Sequence, residues 1–157
     1  NELSPKRQEV FTGWIKTDLL TGEYQKAKEK AQKCIDLNPR LGDCWWLMGL
    51  SNIYLGEEEA AKENIEIADK KGFPVRSENS LLKLAKVYVD TENYQELLEI
   101  YQQLIKIKPA NSGYHISLMI VYSEIGDFEN TKKQALKVLE LSPELREEIE
   151  EFLQSLE

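Results

Sequence analysis

The sequence predicts an all-α fold, a right-handed α–α superhelix of helix-turn-helix repeats closed by a C-terminal capping helix. Three observations carry that expectation. The five prolines, Pro5, Pro39, Pro74, Pro109 and Pro143, recur every 34 or 35 residues. Gly22, Gly56 and Gly126 divide the periods, each followed by an acidic residue (Glu23, Glu57, Asp127). After the last proline, Leu145, Ile149, Phe152 and Leu156 fall on one helical face, with an acidic face opposite.

Each mark has a physical reading. Proline is tolerated in the first helical turn and breaks an interior, so one per period marks where a helix stops and the next begins. Glycine can take the left-handed conformation that ends a helix, and the acidic residue after it favours the next N-terminus. In the third period Glu92-Asn93 holds this place, and Asn is the residue expected to tolerate that conformation.

In order, these marks give a lead-in over 1–7, with Ser4-Pro5 as N-cap and first turn. Repeats follow over 8–41, 42–77, 78–111 and 112–143, and a cap over 144–157. The segment from Lys70 to Arg76 carries the slack between the second and third repeats, where a break in repeat geometry is expected. The terminal helix, acidic outside and apolar inside, suits the cap that a solenoid needs. No comparable cap precedes the first repeat, so its outer face is expected to be open, a possible self-association surface, or covered by something outside this chain.

Composition narrows the function. The 157 residues are 41% hydrophobic, enough for a sizeable core. Twenty basic against 28 acidic side chains give a net charge of -8, which argues against a nucleic-acid partner or an anionic membrane surface. No apolar run is long enough to span a bilayer, so no direct membrane insertion is expected. Sparse cysteine and the missing span fit a cytoplasmic chain.

The repeats resemble the tetratricopeptide repeat family, whose pattern is W-x2-L-G-x2-Y followed by Ala, a bulky residue and Pro. The second period matches best, with Trp45-Trp46-Leu47-Met48-Gly49 and then Ala61, Ile65 and Ala68. Phe11, Trp14, Tyr24, Ala27 and Ala31 match in the first period, Leu81, Leu84, Ala85 and Tyr88 in the third, and Leu118, Tyr122, Phe128 and Ala135 in the fourth. Asp18 and Asn52 depart from the signature tyrosine.

The resemblance implies a concave groove lined by the first helix of each repeat. Its residues here are Thr12 and Lys16, Trp46, Leu50 and Tyr54, Leu82, Lys83 and Lys86, and Ile116 and Ile120, with Val89 continuing the stripe. Such a floor, largely apolar with scattered cations, suits an extended peptide or amphipathic helix of a protein partner, with Trp46 as anchor. Only Lys86 stands where the family's carboxylate clamp needs a cation, so that specificity is not expected. A narrower likeness rests on Gly42–Gly49, Ala68–Phe73 and Glu150–Leu153. These segments look like the soluble tails of bacterial O-antigen ligase or polymerase proteins, and the alternative reading is an assembly or spacer tail of such a membrane-bound enzyme.

Chemistry finds little material. There is no G-x-S-x-G, Gly-rich phosphate loop or H-E-x-x-H. The lone His115 holds the large core place of the fourth repeat. Cys34 reads as a packed thiol and Cys44, at the start of the next repeat, as a more exposed one; the two are close enough in sequence to approach each other across a turn. No metal, cofactor or catalytic residue is expected.

Overall fold

A computed structural model describes residues 4–156, all of the regular structure being helical. The chain divides into two compact units, one ending at Ser80 and the other starting at Leu81. The first unit holds α1 (Pro5–Leu20), α2 (Tyr24–Leu37), α3 (Gly42–Tyr54) and α4 (Glu58–Lys70). α5 (Glu78–Asp90) opens at the boundary. The second unit continues with α6 (Tyr94–Ile107), α7 (Ser112–Glu124), α8 (Phe128–Leu141), a 3-10 turn (Pro143–Leu145) and α9 (Arg146–Gln154). The class is an all-α superhelix of helical hairpins. α1 begins at Pro5, inside the stretch read as a lead-in, while residues 1–3 and 157 lie outside the described residues.

The punctuation works as its chemistry requires. Pro39, Pro109 and Pro143 each follow the C-cap of the preceding helix. Gly22, Gly56 and Gly126 have φ of 77°, 73° and 76°. In the third hairpin the left-handed residue is Glu92 (φ 56°) rather than Asn93, which caps α6 at φ −86°. The turn sets this position. Asn93 N–H donates to the Tyr88 carbonyl (2.9 Å), just as Glu57 N–H does to Asn52 and Asp127 N–H to Tyr122, so the residue before the N-cap must bend left. A side chain there costs roughly 1 kcal/mol over glycine. Glu92→Gly is therefore expected to raise stability by about 1 kcal/mol, read as a higher urea midpoint; a lower midpoint would contradict the assignment.

The acidic residues after these turns are N-caps, yet only one caps with its side chain. Asp127 accepts from Asn130 N–H (3.1 Å) and from the Asn130 side chain (2.7 Å). Those two bonds, the side-chain one first, hold its carboxyl below the usual range. Glu23 pairs with Lys26 at 2.9 Å instead, and Glu57 with Lys28 of α2.

Small residues let the helices of the first unit approach closely. Ala27, Ala31, Ala61 and Ala68 are all buried. At Gly49 a Cβ would sit 2.7 Å from Ile65 Cγ1 on α4, which explains why no larger side chain stands there. The slack segment after α4 folds back on α3: the Phe73 ring stacks on Trp46 with centroids 4.8 Å apart and 21° between planes.

In the second unit α9 behaves as the expected cap. Ile149 joins Met119, Ala135 and Val138 in one cluster, with Leu145, Phe152 and Leu153 packed against it. Leu156 instead lines a small cavity of about 160 Å³ with Phe128, Thr131, Lys132 and Leu153. The glutamates of α9 face solvent.

The cysteines differ from the sequence reading. Cys34 and Cys44 are paired as a disulfide, and Cys44 is as fully buried as Cys34. Cys34 lies in the last turn of α2 and Cys44 in the first turn of α3. The short connection between them brings their Cα atoms to 5.9 Å, within bonding range.

Candidate functional site

In the first unit most of the expected groove residues face inward. Trp46 is 2% exposed and lies under Phe73. Leu50 and Thr12 are buried, the Thr12 hydroxyl donating to the Glu9 carbonyl at 3.2 Å. Tyr54 is half-buried, stacked on Tyr24 with centroids 4.1 Å apart and planes 5° off parallel. Only Lys16 stands in solvent. Trp46 is thus placed as a core side chain, not as an accessible anchor. A loop residue 27 positions downstream, Phe73, covers it. Trp45, its neighbour, is half-buried and donates from Nε1 to the Pro39 carbonyl (3.0 Å).

The second unit is different. On α5, Leu82 (41%) and Val89 (53%) are exposed and share a helical face with Lys86. Lys83 is exposed beside them, and Lys86 pairs with Asp90 at 2.9 Å. On α7, Ile120 is 43% exposed, while Ile116 packs against the Met119 cluster. Leu82 and Lys86 hold the same repeat positions as Ile116 and Ile120. An apolar stripe with interspersed cations therefore stands on the first helices of the third and fourth repeats.

Sequence reasoning missed a second apolar face. α1 exposes Val10 and Trp14, with the Phe11 ring 5.9 Å from that of Trp14. The family pattern accounts for Phe11 and Trp14 as repeat matches without marking either as exposed. The signal lay in α1 itself, where a second apolar row (Val10, Trp14) runs opposite the inward row of Thr12, Ile15 and Leu19.

His115 is buried at 6% exposure, and both ring nitrogens are engaged: Nε2 with the Pro109 carbonyl (2.9 Å), Nδ1 with the side-chain amide of Gln134 (2.8 Å). A histidine so held is a packing residue. Among the described residues no His, Cys, Asp or Glu cluster is arranged to hold a metal ion, and no helix is long and apolar enough to cross a membrane.

Known proteins agree with this architecture. The family described as the Psidin N-terminal TPR repeats region matches residues 16–146. A phagocyte signaling-impaired protein of Drosophila pseudoobscura pseudoobscura is 25% identical over 130 residues, covering 82% of this chain and 13% of that protein. The chain thus spans a small part of that relative. Among solved structures, MamA aligns with a TM-score of 0.63 at 22% identity, covering 91% of this chain and 77% of that one. Pseudomonas aeruginosa PilF gives 0.62 at 16%, covering 96% and 68%. YrrB, described as a TPR protein with an unusual peptide-binding site, gives 0.55 at 16%, covering 85% and 68%. These structures share the fold. The narrower likeness to O-antigen ligase tails gains no support from the family that matches. By that match over most of its length, the chain belongs to the family of Psidin N-terminal tetratricopeptide repeat regions.

Proposed function

We propose that the chain is a non-catalytic protein–protein interaction scaffold that holds an extended peptide or amphipathic helix of a partner. The contact is made on the first helices of the third and fourth repeats. One observation carries this reading: Leu82, Val89 and Ile120 are large apolar side chains left exposed on the first helices of these two repeats, with Lys86 at the repeat position of Ile120. Lys83 and Lys86 add cationic edges. The bound segment would present apolar residues at spacings of three or four with acidic residues beside them. YrrB carries a peptide-binding site on the same fold, which supports the kind of ligand.

A displayed library of peptides selected on the whole chain tests the reading. Selected peptides should lose about tenfold or more in affinity for Leu82→Glu/Ile120→Glu, since a buried interface leucine or isoleucine contributes over 1 kcal/mol. Both positions are exposed, so helicity should not change. Equal affinity for both chains, or selection of no peptide, would remove the site from these helices.

A further inference from the structure

We propose that the occupant of the stripe on α5 and α7 is an amphipathic helix lying parallel to both, acidic in its N-terminal half and basic in its C-terminal half. This rests on the reading of the stripe given above and adds the order of charges in the bound segment and its direction.

The first observation is that charge changes sign along the stripe. Lys83 stands exposed in the second turn of α5, while Asp90 and Glu124 end α5 and α7 and Glu92 follows in the turn to α6. Lys83 and Asp90, seven residues apart, lie on one flank of α5, and Glu124 holds the repeat position of Asp90. Lys86 and Asp90 neutralise each other at 2.9 Å. Lys83 at one end, and Glu92 and Glu124 at the other, have no ion-pair partner among the described residues. Neither α5 nor α7 has a basic residue in its last turn.

The second observation brings the two glutamates together. Tyr94 opens α6, and its phenol is pushed above the usual range by burial first, then by Glu124 and Glu92. One hydroxyl feels both carboxylates, so the C-terminal ends of α5 and α7 point the same way and form one acidic edge.

The third observation sets the direction. Leu82 and Val89 stand two turns apart on α5, a spacing that a second helix alongside matches turn for turn. A helix favours acids in its first turn and bases in its last, because both complement its own dipole. Such a helix meets opposite charge at both ends only with its N-terminus over Lys83 and its C-terminus over Glu92 and Glu124, which is parallel to α5 and α7. Seven residues at 1.5 Å each separate Lys83 from Asp90 by about 10 Å along the axis, so acid and base in the partner stand about seven residues apart.

Fluorescence anisotropy of the whole chain with two labelled helical peptides tests the proposal. Both carry one leucine face; the first has Glu in its opening turn and Lys in its last, and the second has Gln at those places. The charged peptide should bind about fivefold or more tightly than the neutral one, as several exposed ion pairs together provide. That advantage should vanish in Lys83→Gln/Glu92→Gln/Glu124→Gln. A nitroxide on the charged peptide's N-terminus should broaden amide signals around Lys83 and spare those around Glu124. Both peptides should be lost in Leu82→Glu/Ile120→Glu. Equal binding of the two peptides that still needs Leu82 and Ile120, or broadening centred on Glu124, would overturn the proposal and leave the stripe as a docking site. Binding of neither peptide, or binding indifferent to Leu82→Glu/Ile120→Glu, would remove the stripe and this proposal with it.

Discussion

Trp46→Ala is expected to lower the stability of the chain by about 3–5 kcal/mol, the range for truncating a buried large aromatic. The ring is 2% exposed and stacked against the Phe73 ring. The change removes the transfer free energy of the indole, opens a cavity under Phe73, and deletes an aromatic pair that adds about 0.5–1.5 kcal/mol beyond burial. Leu82→Ala, at an exposed position, is expected to shift stability by no more than about 0.5 kcal/mol. Urea titration of the two variants side by side checks the contrast. Similar small shifts in both would place Trp46 at the surface and restore it as a binding anchor. Trp46→Phe should fall between, because it keeps a ring for Phe73 to cover.

Breaking the Cys34–Cys44 bond is expected to cost about 3 kcal/mol, the chain-entropy estimate for a loop of ten or so residues. The bond ties the end of α2 to the start of α3, and both sulfurs are fully buried. Reductant should therefore lower the urea midpoint of the native chain and leave that of Cys34→Ala/Cys44→Ala unmoved. Titration of the unfolded, unreduced chain should find no free thiol. Two free thiols, or a midpoint indifferent to reductant, would contradict the pairing. The same titration on protein taken from its cell reports the compartment, since a reducing cytosol keeps such pairs open.

Much of the fold was legible because its punctuation is local chemistry. Five prolines and three glycines act within a turn of where they stand, so period, hairpin division and the cap could be read from spacing. Burial was harder, since it depends on what arrives from elsewhere. Trp46 follows the signature aromatic and stands where a groove residue is expected, yet Phe73 reaches it from a loop whose path no periodicity encodes. Cys44 was misread for a related reason: its burial depends on Cys34 being brought opposite by the bend between α2 and α3. Glu92 shows a turn overriding residue preference, because backbone hydrogen bonds decide which residue bends left. On α5, by contrast, the outward placement of Leu82, Lys83 and Lys86 follows from repeat register alone.

The order in which the helices of the first unit pack has a kinetic consequence. α1 rests on α2, α2 on α3 and α3 on α4, each joined by a tight connection. Little loop-closure entropy must be spent before such contacts form, so these hairpins should assemble on the microsecond-to-millisecond scale of proteins rich in local contacts. A nucleus can start in any hairpin and spread to its neighbour, with α3 and α4, clasped at Gly49 and Ile65, the natural place to begin. Slow amide exchange should accordingly be centred on that pair and fade outward through α2 to α1.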